Sequence, residues 1–420
     1  MAGRTISEKI LARKSGRDAR AGDLVVCEVD CALGTDGSAP MALDYFKAMG
    51  GENVRDPTRL VFALDHYVPA TSPQTIELHR VMRDFAQRFG ITLHEAGEGI
   101  GHQLIVEKGR ALPGGLVVGA DSHAVTYGAL NCFATGIGSS DLAAVMLCGR
   151  IWLRVPESIR IVLTGQLPSG VYAKDVALAL AGRLGADGAA YQALEFTGPG
   201  VTTLALEDRL VLSNLAVEMG AKNGIFPADA ETIAYLASRT GQVFEPVAAD
   251  PDACYSRTVE IALDALTPQL ALPHLVDQVV ALEDAAGTPV QMVYLGTCTG
   301  GRLRDFHQAR AVLEAGGGVA PGVQLVVTPA SREIRDAMSA DGTLDALVGF
   351  GATVVEPGCG SCCGTCGVIP GDGVSVISTA NRNFKGRMGN AKASIYLASP
   401  AACAAAATRG VVTDPRKVWR

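Results

Sequence analysis

The sequence has 420 residues, of which 48% are hydrophobic and 19% charged, with 49 glycines and a formal net charge of −7. That length exceeds one ordinary core, so an α/β chain of roughly two to four subdomains is expected, built from many short elements joined by tight turns. The negative balance argues against nucleic acid or an anionic membrane surface as the main partner, and no uncharged apolar run reaches the roughly 18 residues of a membrane helix. A small anionic substrate must therefore be met by locally placed arginines.

Near the start, Arg4, Lys9, Arg13, Lys14, Arg17 and Arg20 invite a transit-peptide reading. Glu8 and Asp18 interrupt them, and residues 5–8 form a capping box opening an ordinary helix, so the expected location is cytoplasmic. Residues 23–30 read as a strand feeding the loop 34–40. The apolar run 60–64 delivers Asp65 and His66 at its carboxyl end, a common position for active-site residues in parallel α/β folds. Residues 72–89 are an amphipathic helix, with Ile76, Leu78, Val81, Met82 and Phe85 as its buried stripe. Residues 116–119 repeat the strand pattern and deliver Asp121, Ser122 and His123.

A second subdomain opens with the strand 159–163. Its helices cover 175–183 and 209–219, the latter setting Asn214 and Glu218 on one face. A third subdomain has its first clear strand at 290–295. Its strands deliver Cys298, the loop 359–366 and the loop 381–387.

Six of the eleven cysteines, Cys27, Cys31, Cys132, Cys148, Cys254 and Cys403, lie in apolar or small-residue surroundings and read as core thiols. Cys359 and Cys362 are different: glycines and small residues around them leave the backbone free to wrap a metal centre. A structural zinc site would want two compact ligand pairs, and Cys298 far upstream is single. A disulfide is possible in principle, but the chain does not read as an oxidised scaffold. The third reading is an iron-sulfur cluster with three thiolate ligands and one iron open to substrate.

The company these cysteines keep sharpens that reading. Asp65-His66, Gly99-Ile100-Gly101-His102-Gln103, Gly119-Ala120-Asp121-Ser122-His123, Gly296-Thr297-Cys298-Thr299, Pro357-Gly358-Cys359-Gly360-Ser361-Cys362 and the segment from Asn381 to Gly389 occur in that order. Together they resemble the aconitase family, and within it the large subunits of the isopropylmalate-type dehydratases, over nearly the whole chain. The resemblance implies three α/β subdomains, over about 1–155, 156–285 and 286–420, around a central cleft and without a swivelling fourth domain. It implies Cys298, Cys359 and Cys362 as ligands of one 4Fe-4S cluster with one iron not ligated by protein. The implied catalytic carboxylate-histidine pairs are Asp65 with His66, Asp121 with His102 and Glu218 with His123, and His66 is the expected proton donor. His79, His94, His274 and His307 read as satisfied surface or core residues.

Arg382 and Arg387 lie in a loop of asparagines and glycine, and a guanidinium fork matches a carboxylate bidentately. With Thr35, Asp36 and Ser122 they form the expected substrate contacts. Asn214 and Asn381 resemble family residues that support the cluster. The activity implied is a hydro-lyase that interconverts 2-isopropylmalate and 3-isopropylmalate through an alkene. Thr35 stands where a histidine is usual in the family, and Gly300 where an asparagine is usual, so homoaconitate or another alkylmalate or maleate is the alternative substrate. Cys363 and Cys366 are unusual additions, and a four-thiolate electron carrier stays open beside the hydro-lyase. An iron-sensing RNA binder is a further alternative, disfavoured by the net charge. Only a short segment follows Arg387, so a separate small subunit is expected to bring the swivelling domain and the proton-abstracting base, with a small di- or tricarboxylate as substrate.

Overall fold

The computed structural model describes residues 3–419. Thr5 caps the first helix, Ile6–Ser15, as the sequence predicts: its hydroxyl accepts from the Glu8 N–H, and the Glu8 carboxylate accepts from the Thr5 N–H at 2.9 Å. Three principal sheets follow, each covered by helices, which makes the chain α/β.

The first sheet is parallel, with Thr92–His94, Leu60–Ala63, Cys31–Thr35, Leu116–Gly119 and Phe133–Gly136 in spatial order. The strand expected over 23–30 is two strands. Leu24–Glu28 pairs antiparallel with Arg150–Arg154 in a separate ribbon, and Cys31–Thr35 enters the centre of the sheet. Gly34 and Thr35, expected in a loop, are therefore strand residues. The helix Pro73–Phe89 is capped by Ser72 and stopped by Gly90, but its buried face is His79, Met82, Phe85 and Ala86. Ile76, expected in that stripe, is 58% exposed, because the helix lies against the sheet along one narrow edge.

A second parallel sheet orders Asn223–Ile225, Ala193–Thr197, Ser158–Thr164 and Arg257–Ala262. The helix expected over 209–219 runs from Leu206 to Leu215 and tightens into a 3-10 turn, Ala216–Met219. Asn214 and Glu218 thus leave the backbone from different kinds of helix and point to different partners.

The third sheet has a parallel centre of Ser394–Leu397, Ser375–Ser378, Met292–Leu295, Gln324–Val327 and Thr353–Val354. Gln269–Ala271 and Val279–Ala281 extend it antiparallel. Both strands precede the expected boundary at 285/286, and we propose that the third subdomain begins with them. Two of the six expected core thiols, Cys148 and Cys254, are exposed; small neighbours in sequence did not mean burial. Among the described residues no helix is long and apolar enough to cross a membrane.

Candidate active site

Carboxyl ends of strands from the first and third sheets build the site, where open α/β folds place ligands. Ala63 leads to Asp65 and His66, and Gly119 leads to Asp121, Ser122 and His123. His66 Nδ1 donates to Asp65 Oδ1 at 2.7 Å, and its Nε2 lies 3.4 Å from Asp121 Oδ2. His102 Nε2 donates to Asp121 Oδ1 at 2.9 Å, while its other nitrogen faces the Tyr127 hydroxyl at 2.8 Å. His123 Nε2 donates to Glu218 Oε1 at 2.8 Å, and its Nδ1 is 3.6 Å from Asp121 Oδ1. The three expected pairs are thus in contact. Beyond them, Asp121 is a hub on which all three imidazoles converge.

Burial works against charge throughout this network. It prevails at Asp65, whose carboxyl is raised by desolvation despite His66 and the Gly101 N–H. At His66, Asp121 and His123 the partners outweigh it. Burial disfavours an imidazolium at His66, yet Cys359, Asp65, Asp121 and Asp36 hold its pKa well above the ordinary histidine value. For Asp121 burial opposes ionisation, but the three histidines hold its carboxyl well below the usual range. His123 is likewise raised by Asp121 and Glu218 against its own desolvation. The site thus favours the protonated form at His66 and His123 and the ionised form at Asp121.

Thr35 and Asp36, expected to touch substrate, are each 1% exposed. Asp36 accepts from the His66 N–H at 2.8 Å, from the Tyr67 N–H at 3.0 Å and from His79 Nε2 at 2.9 Å. Its carboxylate is occupied, so it orients the His66 segment rather than facing the cleft. Thr35 Oγ1 is 3.2 Å from the Ser38 hydroxyl and has the same inward position. Arg382 does face the cleft edge. Its Nε donates to both Glu218 oxygens at 2.8 and 3.0 Å and its Nη2 to Ser122 Oγ at 2.9 Å, which ties the third subdomain to the other two.

Cys298 follows Thr297, a β-branched residue held at φ +74, a strained conformation that the surroundings must fix. The Thr297 and Thr299 hydroxyls, 2.9 Å apart, do so with Asn381 Oδ1, 3.3 and 3.0 Å away. Asn214 Nδ2 donates to Cys298 Sγ at 3.1 Å and Asn381 Nδ2 reaches it at 3.4 Å. Arg387 Nη2 is 3.6 Å from Cys362 Sγ, and Cys359 N–H donates to the Asp65 carbonyl at 2.8 Å. Gly360, at φ +54, has to be glycine: a Cβ there would stand 2.5 Å from the Tyr294 hydroxyl. Cys363 and Cys366 stay close to the site, Cys366 Sγ 3.1 Å from the His66 carbonyl and 3.4 Å from that of Gly360 and Cys363 Sγ 3.8 Å from the His66 carbonyl.

The donor set fits an iron-sulfur cluster. Its thiols are free of disulfides, amide and guanidinium N–H groups aim at two of the sulfurs, and Arg387 Nε and Ser361 Oγ are buried there with no hydrogen-bond partner among the described residues. Asp65, His66 and Cys359 bring ligand-type atoms within 4.8 Å of one another, so the acid-base network abuts the thiol loop. His79, read in the sequence as a satisfied residue, is buried and donates to Asp36 Oδ2. Two further contributors carry no signal in the sequence: Tyr127 braces His102, and Lys174 is buried against the Thr299 hydroxyl, next to Cys298. Each is isolated from the motifs along the chain, and only the fold brings them in.

Such a layout, imidazoles on carboxylates beside a cysteine loop at strand ends, is that of a cluster-dependent lyase. The sequence matches the aconitase family (aconitate hydratase) over residues 8–291 and 283–410, and the chain belongs to that family, whose members carry an iron-sulfur cluster. It is 46% identical over 415 residues to the "3-isopropylmalate dehydratase large subunit 1" of Methanopyrus kandleri, with 99% of each chain covered. It is 44% identical over 413 residues to the "probable 3-isopropylmalate dehydratase large subunit" of Methanothermobacter thermautotrophicus, covering 98% of each. The "3-isopropylmalate dehydratase large subunit 1" of Thermotoga maritima is 44% identical over 418 residues, with 99% of each covered. The crystal structure of Thermococcus kodakaraensis aconitase X superposes with a TM-score of 0.49 at 11% identity, over 85% of this chain and 84% of that one. Nothing below rests on that more distant likeness.

Proposed function

We propose that this chain is the cluster-bearing large subunit of a cytoplasmic hydro-lyase of the 3-isopropylmalate dehydratase type. Its cluster is of the 4Fe-4S kind, held by Cys298, Cys359 and Cys362 with one iron free of protein ligands. The observation that carries this reading is the convergence of His66, His102 and His123 on Asp121, immediately beside the Cys359 thiol. An electron carrier has no use for such a proton store. When bound, the cluster supplies Lewis acidity toward the substrate carboxylate and the leaving hydroxyl.

The chain's own residues do the rest. Arg382 and Ser122 offer a fork of donors to a second carboxylate, displacing part of the Glu218 contact. His66, kept protonated by Asp65 and Asp121, gives its proton to the departing hydroxyl, which leaves as water. His102 and His123 keep Asp121 ionised, so the proton returns to His66 when water adds back at the neighbouring carbon. The proton on carbon needs a base, and we assign that base to a small subunit, since every carboxylate and imidazole named above is committed to a partner. Cys363 and Cys366 support an open iron, because Cys366 is engaged by two carbonyls.

A related alkylmalate, maleate or homoaconitate is the second reading of the substrate. Gly300 favours it: a Cβ there would meet Thr379 Cβ at 2.4 Å, so no side chain fits without moving the Cys298 surroundings. The test is turnover of the iron-reconstituted chain on a panel of alkylmalates, with and without a small subunit. Activity is expected only in the mixture. Dehydration by the rigorously purified chain alone overturns the partner, and a mixture inert to every hydroxy-diacid overturns the reaction.

A further inference from the structure

Lys174 stands on the helix Ala173–Leu184 of the second subdomain and is only 3% exposed. Its ammonium donates to the carbonyls of Thr379 at 3.0 Å and Ala380 at 2.7 Å, and reaches the Thr299 hydroxyl at 3.5 Å. Three acceptors fill the three N–H donors of a lysine, so its hydrogen bonding is complete. Its charge is not. All three acceptors are neutral, and among the described residues Lys174 forms no ion pair.

A neutral amide side chain would satisfy the same carbonyls without the desolvation penalty that a buried cation carries. That penalty is visible in the group itself: burial pulls the Lys174 pKa down to about 8, while the thiols of Cys403, Cys298 and Cys362 and, more weakly, the carboxylate of Asp305 pull the other way. Burial pushes the Asp305 carboxyl itself up to about 6, and it forms no ion pair with the ammonium, so a charge retained at this expense calls for a further anion in the working state. The position of the ammonium says which. Thr299 directly follows Cys298, and the two carbonyls lead straight into Asn381, whose amide reaches Cys298 Sγ at 3.4 Å. The Thr299 hydroxyl links both routes, lying 2.8 Å from the Thr379 carbonyl and 3.0 Å from Asn381 Oδ1.

We propose that Lys174 is a positioning residue and the buried counter-charge of the cluster: it holds Asn381 against Cys298 and compensates the negative charge that thiolate ligands bring into this interior. The proposal rests on the cluster reading above. A fixed cation one shell behind a ligand stabilises the reduced, more negative state, because the interior screens the interaction poorly. Removing it makes the cluster harder to reduce and easier to oxidise.

The variants Lys174→Gln, which keeps donors but loses charge, and Lys174→Met, which keeps neither, are compared with wild type in the assembled, iron-loaded complex. In an EPR-monitored redox titration both are expected to shift the one-electron equilibrium about tenfold toward the oxidised form, or about 59 mV. Thermal melting with and without the cluster gives the second readout. Loading should raise the midpoint less in both variants than in wild type. Potentials equal to wild type, equal loss of stability in loaded and cluster-free chains, or unfolding already in the cluster-free state would each make Lys174 a structural strut and overturn the proposal. A wild-type chain that takes up no iron overturns the cluster reading itself, which keeps the two failures apart.

Discussion

In the first subdomain every imidazole of the cleft already has a carboxylate at hydrogen-bond distance, 2.7 Å for His66, 2.9 Å for His102 and 2.8 Å for His123. Across the cleft, in the third subdomain, Arg387 Nε and Ser361 Oγ are buried with no hydrogen-bond partner among the described residues, and the Asn214 and Asn381 amides point at the Cys298 sulfur. Buried polar groups are rarely left unpaired, and each exception calls for an explanation. The acid-base half of the site satisfies its own hydrogen bonds, whereas the thiol half keeps donors and hydroxyls that its own side chains do not pair. Function therefore depends on the two halves in separable ways, and substitutions on either side should tell them apart.

The largest effect belongs to the thiol half. Cys298→Ser keeps the shape of the side chain but removes a ligand, and the reconstituted chain should retain little iron by elemental analysis. Turnover should fall on the order of 10³-fold or more, the scale of several kcal/mol of Lewis-acid stabilisation. The melting of the cluster-free chain should change little, because the serine hydroxyl can still accept from the Asn214 and Asn381 amides. His66→Gln is next. Iron content should be unchanged, while kcat falls about 10²- to 10⁴-fold, the range of a lost general acid. Iron loss in the histidine variant would erase the distinction between the halves.

These pairs were legible in the sequence through the family resemblance, which Asp65-His66, the His102 motif and Asp121-Ser122-His123 carry in short ordered segments. The hub at Asp121 was not, since three separate segments must fold before His66, His102 and His123 can meet it. Asp36 was misplaced for a related reason. Its motif marks it as part of the site, but only the structure reveals that His66, Tyr67 and His79 already occupy its carboxylate. Asn214 and Glu218 read as one helix face, because nothing in residues 209–219 announces the tightening after Leu215 that sends one to Cys298 and the other to His123. The fold class followed from short apolar runs and glycines. The two antiparallel strands near 269–281 did not, being three residues each, the first bracketed by Pro268 and Pro273.

A smaller effect lies outside both halves and sets the scale for them. Asp175 is fully buried, and burial pushes its carboxyl up to about 7. An aspartate in the unfolded chain ionises near pH 3.9. Between those limits the folded chain binds the extra proton, so stability falls as pH rises from about 4 to about 7, by at most about 1.4 kcal/mol per unit. Asp175→Asn should flatten that slope in melting curves across this range. A slope left intact would mean that the carboxyl is already ionised in the fold.

The claim that three cysteines rather than four hold the cluster is met most directly by mild oxidation of the reconstituted chain, followed by EPR. Wild type, Cys363→Ser and Cys366→Ser should all lose one iron and give the same paramagnetic 3Fe-4S signal, since neither extra thiol ligates. A cluster that keeps all its iron in wild type, and becomes labile only when Cys366 is replaced, would contradict the open-iron account and return the chain to electron transfer.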